Sequence, residues 1–111
     1  MKHEMKLHDG PFTSIKNKTK TIELRLLDEK RSLIKEGDII EFTNRVTNET
    51  ITTKVINIHK YSSFEELYKN HDKVSMGYKE NEDAKPEDME QYYSKQEQEN
   101  YGVVGIEIEL I

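Results

Sequence analysis

Residues 18–26 read K-T-K-T-I-E-L-R-L, from Lys18 to Leu26, and the fold turns on how this stretch is read. It alternates with period two, as a half-covered strand does. Ile22, Leu24 and Leu26 fall on one face, and Thr21, Glu23 and Arg25 on the other. Lys20 stands where the strand begins, so its long stem can bend round to join the acid and the guanidinium. A lysine, a carboxylate and an arginine converging beside an apolar core form either an ion pair or a site.

The flanks extend this strand into a domain. Upstream, Asp9-Gly10-Pro11 reads as a turn into a short helix, with Pro near its first position. Phe12 and Ile15 share that helix's buried face, and the strand is the nearest surface for them. Asn17 suits the left-handed residue that ends it. Downstream, a short helix starts at Asp28 as N-cap, buries Leu33 and Ile34, and stops at Gly37. A strand follows over 39–43 with Ile40 and Phe42 on one face, then a polar turn over 44–49. In the strand over 50–61, Ile51 and Val55 share one parity, and Ile56 and Ile58 the other. That switch implies a β-bulge or a strand covered on both faces.

Ser62-Ser63-Phe64-Glu65 reads as a capping box before a helix that buries Phe64, Leu67 and Tyr68. Residues 72–85 are polar and turn-like. Pro86 opens a helix with Met89, Tyr92 and Tyr93 on its apolar face, and Ser94-x-x-Glu97 is a second capping box. In the closing strand Val104, Ile106, Ile108 and Leu110 alternate with Gly105, Glu107 and Glu109. Four or five strands with short helices between them, and no repeat or linker, predict one α+β domain over 1–111: a small mixed barrel with helices packed outside. Its interior should receive Val104, Ile106, Ile108 and Leu110 together with Ile22, Leu24, Ile40 and Phe42.

The chain has 111 residues, 33% hydrophobic and 35% charged, enough for one modest core. It has no Cys, hence no disulfide, no thiolate zinc site and no thiol nucleophile. No apolar run approaches a membrane span and residues 1–10 hold no signal-peptide core, so a cytoplasmic protein without a membrane partner is expected. Net charge is −5, which argues against indiscriminate nucleic-acid binding. The charge is uneven. Residues 1–35 carry nine Lys/Arg against five acids, whereas residues 36–111 carry eight against seventeen. A local positive footprint on an acidic body suits an anionic partner that is small or held at one place.

His3, His8, His59 and His71 show no metal-ligand spacing, and there is no glycine-rich phosphate loop or nucleophile elbow. The acids of 79–99 read as a solvated helix face. Tyr68, Tyr92 and Tyr93 read as core. No cofactor or metal is expected. Lys20, Glu23 and Arg25 remain. On spacing alone an ion pair on a sheet is the simpler reading. Shielded in a groove between the first helix and the strand, however, the Arg could hold a phosphate in two-pronged fashion. A desolvated Lys there could act as nucleophile or base.

The chain resembles the ASCH-domain family, relatives of the RNA-binding PUA domains, whose mark is G-x-K-x-x-E-x-R. Lys20, Glu23 and Arg25 match three marked positions, and Lys18 stands where the family has Gly. Further blocks follow in order: Gly37-Asp38, Glu41-Phe42-Thr43-Asn44, Tyr61-Ser62-Ser63-Phe64-Glu65-Glu66-Leu67, Tyr92-Tyr93-Ser94, and Tyr101 to Ile108. The resemblance implies a PUA-like β-barrel of five to six strands, with the marked residues in a cleft between barrel and N-terminal helix. It implies binding of RNA or a nucleotide or nucleoside there by Lys18, Lys20, Glu23, Arg25, Asn44 and Tyr61. It also offers hydrolysis. One branch looks like an amidohydrolase that removes acetyl from N4-acetylcytidine. That branch has its lysine at the position of Lys20 but Thr where this chain has Glu23, and a loop glutamate where this chain has Glu80 and Glu82. Other relatives are metal-dependent ribonucleases, which Glu23 suits better. The sequence sets no oligomeric state.

Overall fold

The computed structural model describes all residues, 1–111. Five strands form one curled sheet: β1 (Lys2–Leu7), β2 (Ile22–Leu26), β3 (Ile39–Asn44), β4 (Thr50–Tyr61) and β5 (Val103–Leu110). Their order is β1-β3-β4-β5-β2. Three short helices pack around it: α1 (Asp9–Lys16), α2 (Phe64–Asn70) and α3 (Lys95–Tyr101). Short 3-10 helices occupy Arg31–Leu33 and Pro86–Gln91. The sheet is a half-barrel whose edges, β1 and β2, face each other across an open seam. No helix is long and apolar enough to cross a membrane.

The first strand is absent from the sequence reading. Only His3, Met5 and Leu7 are buried along it, interleaved with exposed charges. It forms only because it can pair in parallel with β3, from Lys2↔Ile39 to Leu7↔Asn44, more than thirty residues away. A buried bond from His3 Nε2 to Asp38 Oδ2 at 2.8 Å pins its start. The parity switch in β4 is a bulge between Val55 and Asn57. Ile56 is the extra residue and turns outward, half exposed.

Both faces of the sheet are apolar, and they form two clusters. The interior holds Met5, Leu7, Phe12, Ile15, Ile34, Ile40, Phe42, Val55, Val104, Ile106 and Ile108. The outer cluster holds Ile22, Leu24, Leu26, Phe64, Leu67, Met76 and Val103. This corrects the expected interior. Ile22 and Leu24 face out, under α2, and Leu110 lies in neither cluster. Register gives the reason: Glu23 stands opposite Ile106 and Arg25 opposite Val104, while Leu24 stands opposite Gly105. The charged face of β2 is therefore the inner one. Gly105 lets α2 lie close, because a Cβ there would meet Ile22 at 3.2 Å and Leu67 at 3.4 Å.

Several local expectations shift by a residue or a turn. The cap of α2 is Ser63, whose Oγ accepts from the Glu66 amide at 3.3 Å, not Ser62 with Glu65. The box at Ser94 and Glu97 is formed in both directions. After Asp28 the chain makes one 3-10 turn; Ile34 is buried but Leu33 is 60% exposed. The left-handed residue after α1 is Lys18 at φ 67°, not Asn17. That is the position at which the resembled family has Gly. A side chain there costs about 1–2 kcal/mol, of which glycine's extra unfolded-state freedom returns roughly 0.5–1. Lys18→Gly should therefore raise stability by about 0.5–1 kcal/mol. A urea midpoint that falls or stays put would contradict this.

Candidate functional site

The inner face of β2 delivers Glu23 and Arg25, and the turn just before the strand delivers Lys20, to the floor of a cleft of about 650 Å³. Lys20, Glu23 and Arg25 side chains are 7%, 6% and 13% exposed. They form a chain. Glu23 Oε1 lies 3.5 Å from Lys20 Nζ. Its other oxygen accepts from Arg25 Nε at 2.7 Å. Arg25 then reaches across the seam, donating from Nη2 to the Lys6 carbonyl at 3.1 Å. Lys20 Nζ also donates to the Met76 carbonyl at 2.8 Å. Burial lowers the Lys20 pKa from its ordinary value; Glu23 works against this, and Arg25 adds to it.

The opposite wall comes from 76–93, which sequence reading treats as a turn-like stretch followed by a helix from Pro86 with Met89, Tyr92 and Tyr93 on its apolar face. Only a 3-10 helix forms there, and Tyr92 is exposed at the cleft rather than core. The segment is held on the outer apolar cluster by Met76, and by Tyr93 stacking on Phe64 with ring centroids 6.0 Å apart. Gly77 lies directly over the lysine: at its φ of 109°, a Cβ would meet Lys20 Cδ at 3.2 Å. Beside it runs a hydroxyl relay. Tyr78 donates to Asp88 Oδ2 at 2.8 Å, and the Tyr68 hydroxyl bonds that of Tyr78 at 2.8 Å. Burial, aided by the bonds to Tyr68 and Asp88, raises the Tyr78 pKa well above its ordinary value, so this hydroxyl keeps its proton. At the mouth, Tyr92 is 52% exposed and lies 6.4 Å from the His8 ring. Arg45 and Lys6 complete the rim.

Of the residues expected in the site, the structure brings Lys20, Glu23, Arg25 and Glu82 to one cavity. It leaves Lys18, Asn44, Tyr61 and Glu80 outside. Lys18 is an exposed turn residue. Asn44 is buried as a turn organiser, donating to Asp9 Oδ1 at 3.0 Å and accepting from the Val46 amide at 2.8 Å. Tyr61 bonds His71 Nε2 at 2.8 Å on the outer side of β4. Glu80 points to solvent. The N-terminal helix touches the cleft only at its start, through His8 and Pro11; Phe12 and Ile15 are spent in the interior. Tyr68, Tyr78, Asp88, Tyr92, Arg45 and Lys6 are additions. Tyr92 could be suspected from its place beside Tyr93 in a family-like block. The others carry no local signal, because only chain packing makes them neighbours.

A family model for the ASCH domain matches residues 5–111. The chain belongs to the ASCH-domain family. The ASCH family is associated with RNA binding. Among solved structures, the chain is similar to hypothetical protein PH0355, at 38% identity and a TM-score of 0.83, with all of both chains covered. It is also similar to protein PF0455 from Pyrococcus furiosus, seen by solution NMR, at 33% identity and a TM-score of 0.71. That match covers 100% of this chain and 98% of the other. No curated protein matches the chain. The α+β half-barrel thus agrees with the PUA-like architecture that the ASCH resemblance implies.

Proposed function

We propose that this ASCH domain binds RNA by taking one nucleotide into the cleft between β2 and segment 76–93. One observation carries the reading: the buried Lys20–Glu23–Arg25 chain and a half-exposed tyrosine, Tyr92, share a single cavity. A nucleotide needs both. Tyr92 and His8 offer ring faces to a base. Glu23, fixed between two cations, accepts from a base amino group; Arg25, Arg45 and Lys6 meet phosphate. The cleft's volume falls in the range of small-ligand sites, generally about 300–1,000 Å³. Titration with single-stranded RNA, followed by amide shifts at Gly77 and Tyr78, tests the reading; shifts confined to other surfaces would refute it. Tyr92→Ala should weaken binding by about 1 kcal/mol, the low end for a stacked base. Unchanged affinity would remove Tyr92 from the site.

A specific observation keeps a hydrolytic reading beside the first. Lys20 is desolvated and its pKa lowered, as a nucleophilic or basic lysine requires. In that reading Lys20 acts on an acylated nucleoside such as N4-acetylcytidine, and Glu23 or Glu82 moves the proton. Cytidine release by the wild type that disappears in Lys20→Met would establish it. No release, with RNA binding retained, would discard it. A metal-dependent ribonuclease fits less well. The chain holds no set of three His, Asp or Glu side chains arranged to hold a metal ion.

A further inference from the structure

A second cavity, of about 440 Å³, lies in the open seam of the half-barrel. Its lining brings together Lys6 of β1, Arg25 of β2, Lys30 and Arg31 of the turn after β2, and Arg45 beyond β3. The one acid in the lining is Glu4. Five cations thus gather at one seam of a protein whose net charge is −5. Two of the five are partly answered. Arg25 pairs with Glu23, and Arg31 Nη1 pairs with Asp28 Oδ2 at 3.0 Å. Lys6, Lys30 and Arg45 have no carboxylate in ion-pair range, and Arg31 Nε is buried without a hydrogen-bond partner. A gathering of like charges is unfavourable unless a counter-ion resides there. The two cavities adjoin, because Lys6, Arg25 and Arg45 line both. Arg25 is the partition, with Nε on Glu23 in the cleft and Nη2 at the seam.

We propose that the seam cavity holds the backbone phosphates that flank the nucleotide in the cleft. The ligand is then a single-stranded RNA segment rather than a free nucleoside. This rests on the cleft reading above and adds a separate site to it. Geometry gives the division of labour. The cleft offers rings and a carboxylate and selects a base. The seam offers unanswered cations and no exposed ring, so it reads phosphate irrespective of sequence.

The experiment measures affinity for a short random-sequence single-stranded RNA by fluorescence anisotropy, from about 0.05 to 0.2 M salt. The annex variant, at the seam cavity, is Lys30→Ala with Arg31→Gln, two seam residues that lie outside both the core and the cleft. Lys69→Ala with Lys95→Ala, on the helices, removes the same charge elsewhere. The annex variant should bind about tenfold more weakly or worse, with the slope of log K on log salt flattened by about 1.4, two single-strand phosphates' worth. The distant variant should change by less than about twofold. Shifts induced by mononucleosides at Gly77 and Tyr78 should persist in both. An annex variant with wild-type affinity and slope overturns the seam site while leaving the cleft reading intact. Equal loss in the two variants also overturns it, since the effect would then be net charge alone. Tripolyphosphate binding as tightly as RNA assigns the cavity to free polyphosphate and overturns the strand. If the wild type binds no RNA at all, the cleft reading fails and the seam proposal falls with it.

Discussion

Glu23→Ala should cost about 3–5 kcal/mol of stability, the scale for removing one partner from a buried ion pair. The carboxylate is 6% exposed and uses one oxygen on each of two cations. Without it, Lys20 and Arg25 remain buried side by side. Lys20 can shed its proton, since burial has already lowered its pKa. Arg25 cannot. The loss should appear as a lower urea midpoint at unchanged slope. A loss under about 1 kcal/mol would mean that water answers both cations, contrary to the burial seen. A companion variant separates stability from function. Lys20→Met, Glu23→Leu and Arg25→Met together replace the charges with apolar groups, a change often neutral or stabilising by about 1–4 kcal/mol. If the triad serves a ligand, this variant should fold at least as well and lose RNA binding. If the triad serves only the fold, this folded variant should keep its RNA binding.

Arg25→Ala should weaken RNA binding by about 1–3 kcal/mol, or roughly five- to 150-fold, the scale of a lost charged contact. Its guanidinium touches both cavities, so its removal withdraws a contact from the base site and one from the phosphate site. The salt slope should flatten by about 0.7 for one single-strand phosphate. Arg25→Lys should restore little, because an ammonium cannot hold Glu23 and reach the seam with separate donors. Arg25 also clasps the two sheet edges, so thermal unfolding of each variant has to accompany the binding curves. Binding indifferent to both substitution and salt would move the ligand away from β2.

Much of this protein is determined by short-range pattern. Alternation over 22–26, 39–43 and 103–110 specifies strands, because the side-chain period of two is a property of the extended backbone. The bulge in β4 shows as a change of parity. The box at Ser94 and Glu97 is chemistry within one helical turn. Lys20, Glu23 and Arg25 are legible as a group for the same reason: residues 23 and 25 must share a face. Which face is a different question. The apolar side of β2 is the outer one, because α2 and Met76 cover it while β5 brings Val104 and Ile106 to the inner side. Alternation cannot tell inside from outside when both faces are covered. The remaining features are decided by tertiary structure alone. Strand β1 exists only through a parallel ladder to β3. Segment 76–93 becomes a wall only once Phe64 and Leu67 give Tyr93 and Met76 a surface to rest on. Lys6, Lys30 and Arg45 are far apart in the chain and meet because the curled sheet leaves its two edges facing each other. Contacts of that sequence separation leave no local periodicity to read.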